Sequence, residues 1–143
     1  VGLVVSFASY MDETAAAADL ILPDHTPLES WGDQQPQVGV HGLMQPTVNP
    51  LFDTKHTGDV LMSLASRVGG AAAGRFQWPD YQAYLKDAWQ ATQSEFAPRE
   101  DFQEFWRAAV SRGGVWRDVG TQAVTINRAV SGVYFEGATG PGQ

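Results

Sequence analysis

Three histidines, His25, His41 and His56, share one stretch of the chain with Asp24, Glu29, Asp33 and Asp53. Imidazole and carboxylate are ligands of zinc and its neighbours, so a metal centre is the first chemistry to test. The spacing argues against it. It matches neither the H-E-x-x-H pair on one helical face nor a closed zinc pattern. No metal ligand is assigned. Ser6, Ser9, Ser30 and Ser63 lie outside any G-x-S-x-G elbow, and no base pairs with them in sequence. The acidic pairs Asp12-Glu13 and Glu100-Asp101 stand at expected helix starts, where capping and the helix dipole account for them. Neither nucleotide-binding glycine fingerprint occurs. No catalytic residue is assigned.

The elements that would carry these groups begin with "GLVVSF" at residues 2–7, short, β-branched and apolar on both faces, as expected of a central strand covered by helices. Asp12 offers an N-cap to a short helix over Thr14–Ala18, whose alanines permit close approach to a sheet. Asp19 ends that helix, and "LILP" reads as a second buried strand closed by Pro23. Strand, short helix, strand is a parallel crossover, and the fold class is α/β. Asp24 to Lys55 is rich in proline and glycine without a sustained period. It reads as one long loop, either functional or strapped across a neighbouring domain.

Helices follow. Thr57 is the expected N-cap of a helix with a stripe of Val60, Leu61, Leu64, Ala65 and Val68, stopped by Gly69-Gly70. Pro79 suits the first turn of the next, whose face is Tyr81, Tyr84, Leu85, Ala88 and Trp89. A third, starting near Glu100, presents Phe102, Phe105, Trp106 and Ala109 and ends at Gly113-Gly114. Aromatic stripes at helical spacing are core rather than a ligand box. "VWRDV", "AVTIN" and "GVYFEG" then read as short strands. The expected division is residues 1–56, an α/β unit with its long loop; 57–112, a helical segment completing it; and 113–143, a β-like lead towards a further domain.

Composition narrows the function classes. The chain has 143 residues with net charge -7, and no Lys/Arg cluster of the kind a nucleic acid or an anionic lipid surface requires. Cysteine is absent, which removes disulfides and iron–sulfur ligation from this stretch. No apolar run approaches the ~20 residues of a spanning helix. The chain opens inside the strand-like "VGLVVSF" and its tail "GATGPGQ" has linker composition. It is expected to be a piece of a longer protein.

"ETAAAADLILPDHTPLE" resembles the strand–helix–strand segment of the molybdopterin oxidoreductases, the superfamily of dimethyl sulfoxide reductase and formate dehydrogenase. Glu13, Thr14, Ala15, Ala18, Asp19, Leu22, Pro23 and Glu29 match its T-E-T-A-x-x-A-D-x-V-L-P pattern and following Glu. The likeness continues through "GLMQPTVNPLFDTKHTGDVLMSLASRVG" and covers about half the chain. Two departures stand out. Ala8 occupies the place of an Asp that helps hold the guanine-dinucleotide cofactor. In "GVHGLMQ", Gly42 and Gln45 match the family's N-x-E-G-R-x-Q run, while His41 and Leu43 replace its Glu and Arg. Arg is the forked, permanently charged donor suited to phosphate.

The wording is most similar to the large subunits of membrane quinone-linked complexes, the alternative complex III and menaquinone reductase molybdopterin-like subunits. That resemblance implies a scaffold piece of a quinol- or quinone-linked redox subunit, on the exported side of a bacterial cytoplasmic membrane. Its partners would be the remaining domains of the same chain and other subunits of the complex. Iron–sulfur clusters would lie elsewhere in the parent, and this stretch alone would hold no cofactor. Were molybdopterin guanine dinucleotide present in the parent, Ser9, Thr14, Glu29 and Gln45 would contact it. The alternatives are a fragment of an active molybdenum reductase of sulfur or arsenic oxyanions, and a stand-alone, non-redox binding domain.

Overall fold

A computed structural model describes residues 2–120. Its first unit is the expected crossover. β1 (Val5–Ser6) and β2 (Leu20–Ile21) pair in parallel, Val5 opposite Leu20 and Ser6 opposite Ile21, with helix α1 (Glu13–Ala16) between them. Asp12 caps α1, its carboxylate accepting from the Ala15 N–H at 2.6 Å. Asp19 ties the helix exit back to β1, its carboxylate accepting from the Val4 N–H at 2.8 Å. Ala15 is buried, as a helix lying close on strands requires. The strands themselves are shorter and barer than the sequence suggests. Leu3, Val4, Val5 and Leu20 are exposed, because the one-turn α1 is too small to cover the sheet among the described residues.

The segment expected to be a loop contains a hairpin. After a 3₁₀ turn at Pro27–Glu29, β3 (Gly32–Gln37) and β4 (Val40–Met44) run antiparallel. The apolar pattern hides it, since "GDQQPQ" has no buried alternation and lies almost wholly exposed. The register slips by one residue between Gln34 and Gln37. That bulge takes up Pro36, which has no N–H to give a ladder. Gly39 closes the turn at φ 80°, where a side chain would be strained. β5 (Gly114–Trp116) pairs antiparallel with β4, His41 opposite Val115, so residues expected to lead into another domain complete this sheet. The strands expected at 123–127 and 132–137 lie outside the described residues.

Helices α2 (Thr57–Val68), α3 (Gly70–Arg75), α4 (Tyr81–Phe96) and α5 (Phe102–Arg112) make up the rest. Three details differ from expectation. His56, not Thr57, caps α2, its Nδ1 accepting from the Gly58 N–H at 3.1 Å. Gly69 ends α2 but α3 follows at once, since "AAAG" continues in helical conformation. Pro79 precedes the cap Asp80 rather than occupying the first turn of α4. In α2, Met62 and Ala65 face inward, whereas Leu61, Leu64 and Val68 are exposed.

The core sits between α4, α5 and the three-stranded sheet. Leu85, Trp89, Phe105, Trp106 and Ala109 are buried there with Leu43 from β4. Trp89 and Trp106 meet edge to face with centroids 5.9 Å apart, and Trp31 stacks on Trp106 at the same distance. The aromatic stripes of α4 and α5 are core. Among their members only Ala88 of the expected α4 face lies exposed.

Candidate functional site

Parallel strands in α/β sheets present ligands to the loops beyond their carboxyl ends. Here those loops are residues 7–12 after β1 and 22–29 after β2. A crevice of about 150 Å³ lies between them, lined by Ala8, Ser9, Tyr10, Met11, Ala15 and part of β2. The Ser9 hydroxyl donates to the Asp24 carbonyl at 3.1 Å, joining the two loops. Thr14 stands exposed on α1 and does not line the crevice.

Glu29 is the organising residue of the second loop. Its Oε2 accepts from the Thr26 N–H at 2.8 Å, completing a capping box, and its Oε1 accepts from the Leu51 N–H at 2.9 Å. Those two backbone donors, Thr26 first and Leu51 next, hold its carboxyl below the usual value of 4.5. The carboxylate is thereby committed to clamping residues 26–29 against the return strap. Asp24 does the same nearby. Its Oδ1 accepts from the N–H groups of His25 and Thr57, the latter at 2.9 Å, and so holds the start of α2 from 33 residues away. Sequence reading missed Asp24 in this role because the contact is non-local. The Asp24-His25 pair was visible only as a metal candidate.

A second recess, of about 240 Å³, gathers His25, Glu29, His56, Asp59, Asp80 and Tyr81. His25 Nε2 lies 3.1 Å from the Thr54 carbonyl, and the His56 ring packs on Tyr81 with centroids 4.4 Å apart. Asp59 Oδ1 accepts from the Tyr81 N–H at 2.7 Å. Burial, reinforced by the Asp33 charge, pushes the Tyr81 phenol above its ordinary range. Each acid with a partner here accepts from backbone, which is bracing rather than acid–base chemistry. Among the described residues no group of three or more His, Cys, Asp or Glu side chains is placed to hold a metal ion.

The remaining expected contacts lie elsewhere. Gln45 follows β4 and is exposed. Leu43, where the family resemblance expects Arg, is a core residue with only 6% of its surface accessible. His41 turns its ring edge-on to Trp89 and Phe96, and its buried Nε2 has no hydrogen-bond partner among the described residues. Ser9, Thr14, Glu29 and Gln45 therefore do not converge on one cavity. A dinucleotide carries phosphates, which call for cations or free donors. The crevice between the strand ends is lined by no cation, and each Glu29 oxygen already accepts from a backbone N–H. That crevice offers a pterin dinucleotide's phosphates no cationic partner.

Comparison with known proteins gives one informative likeness. Over 69 residues, 46% of this chain, the sequence is 41% identical to the menaquinone reductase molybdopterin-binding-like subunit of Nitratidesulfovibrio vulgaris. The matched stretch spans 10% of that subunit's length. No protein-family model and no solved structure matches the chain.

Proposed function

We propose that this chain is a scaffold part of the large subunit of a quinone-linked redox complex, built on the molybdopterin oxidoreductase pattern without holding the cofactor itself. The observation that carries the reading is the 41% identity to a subunit of menaquinone reductase. Two structural features accord with it. The crossover retains the family's order of strand, short helix and strand. The residues that would face a phosphate-rich ligand are turned to internal bracing, Glu29 to the backbone and Leu43 to the core.

In this reading the parent exchanges electrons with the quinone pool through centres outside these residues, on the exported side of the membrane, with other subunits of the complex as partners. No helix of the described residues is long and apolar enough to cross a membrane. Attachment would therefore fall to those partners or to other parts of the parent.

The test is genetic and enzymatic. Membranes from a strain lacking the encoding gene should lose menaquinone-linked electron transfer and regain it on complementation. Unchanged transfer contradicts the reading.

A second reading, an active molybdenum reductase, draws on the crevice beyond β1 and β2, placed where α/β sheets bind ligands. In that case Ala8 and Ser9 would lie against the cofactor.

A further inference from the structure

Helix α2 is covered over only part of its apolar side. Met62 and Ala65 are buried, while Leu61, Leu64 and Val68 form an exposed strip beside them, with 54% of Leu64 accessible. At the foot of this strip lies a cleft of about 520 Å³ with Leu22, Pro23, Val60 and Leu64 among its walls. Its rim carries Lys55 and Arg67. Lys55 Nζ reaches only the Ser63 hydroxyl, at 3.4 Å, and neither cation forms an ion pair among the described residues. Asp53 lines the same cleft without bridging either of them. Thr54, also on the wall, has a buried Oγ1 with no hydrogen-bond partner among the described residues.

Single exposed apolar residues are ordinary on a protein surface, whereas a continuous strip beside a cleft rimmed by unpaired charges has the anatomy of an interface. We propose that this face docks a further segment of the same parent polypeptide, outside residues 1–143, carrying apolar side chains bordered by carboxylates. The carboxylates meet Lys55 and Arg67, and the apolar side chains cover Leu61, Leu64 and Val68. A small anion would answer the two cations but leave the strip bare. A nucleic acid or anionic lipid surface is disfavoured by the net charge of -7. The source of the segment rests on the reading of the chain as part of a larger subunit, given that the matched stretch is only 10% of the related one.

The test uses the intact native polypeptide with photoreactive benzoylphenylalanine in place of Leu64, irradiated and mapped by mass spectrometry. The expected product is an intramolecular cross-link to an acidic, apolar segment outside residues 1–143. That cross-link should be lost when Lys55→Glu and Arg67→Glu are combined, and retained with Arg107→Glu on the exposed side of α5. Cross-linking to lipid, to a second copy, to another subunit or to residues 121–143 overturns the proposal, as does no cross-link at all. A native polypeptide no longer than these residues would instead remove the larger-subunit reading on which the proposal rests.

Discussion

The indole N–H of Trp89 donates to the Asp33 carboxylate at 3.0 Å, joining the buried centre of α4 to the first strand of the hairpin across 56 residues of sequence. This bond, with the Leu43 contact to the same core, makes hairpin and helices one packed body. Trp89→Phe retains most of the buried ring and loses the bond. Because Asp33 stays accessible to water, the cost should be about 1 kcal/mol. Trp89→Ala should cost about 3–5 kcal/mol through the cavity it leaves. Thermal and urea melts of the two variants check both figures and their order.

Leu43 offers a sharper contrast, because the family resemblance points to Arg at this position. Leu43→Ala should destabilise by about 2–5 kcal/mol. Leu43→Arg should also destabilise, since it places a charge among Leu85, Trp89 and Phe105, and the Asp33 carboxylate opposite it in the hairpin is already engaged by the Trp89 N–H. Melting temperatures of both variants against wild type decide the matter. An Arg variant as stable as wild type would show that the position faces a polar space.

Glu29 predicts a pH dependence. Its folded pKa lies below the unfolded value near 4.5, so its contribution is present above that value and is lost as pH falls through the folded one. Glu29→Gln offers one acceptor oxygen where two backbone N–H groups need one each. The variant should melt lower than wild type at neutral pH, with the gap narrowing as the pH falls from the unfolded value near 4.5 through the folded one. Parallel melts across that range measure it.

Gly114 begins β5 and sits opposite Gly42 of β4. Its φ is 139°, and a Cβ there would collide with the His41 carbonyl oxygen. Gly114→Ala should therefore break the pairing of β5 with β4 and cost more than about 2 kcal/mol. Hydrogen exchange should speed up at the amides of residues 40–42 and 114–116 while α4 keeps its protection.

How much of this was readable beforehand depended on whether the determinants were local. The crossover, the Asp12 and Asp101 caps, the aromatic faces of α4 and α5 and the Gly113 stop follow from short-range chemistry, and the structure shows each of them. The hairpin was illegible because β3 carries no buried alternation, and because its Pro36 argues against a strand unless a bulge is foreseen. Strand burial was overestimated, since Val4, Val5 and Leu20 are apolar whether or not anything covers them. At the candidate site, Glu29 was legible as a match to the family pattern and as a contact for a pterin cofactor were one present, not as a clamp. Its partner Leu51 is 22 residues away, and only the fold brings that N–H to its carboxylate.

On the proposed function, residues that a cofactor-bearing relative would turn to its ligand here brace the chain itself. Molybdenum and pterin content per polypeptide, measured on the intact native protein by mass spectrometry of the metal and fluorescence of the oxidised pterin, tests it most directly. The account predicts both well below stoichiometric, with quinone-linked electron transfer intact. One molybdenum and its pterin per polypeptide would contradict it.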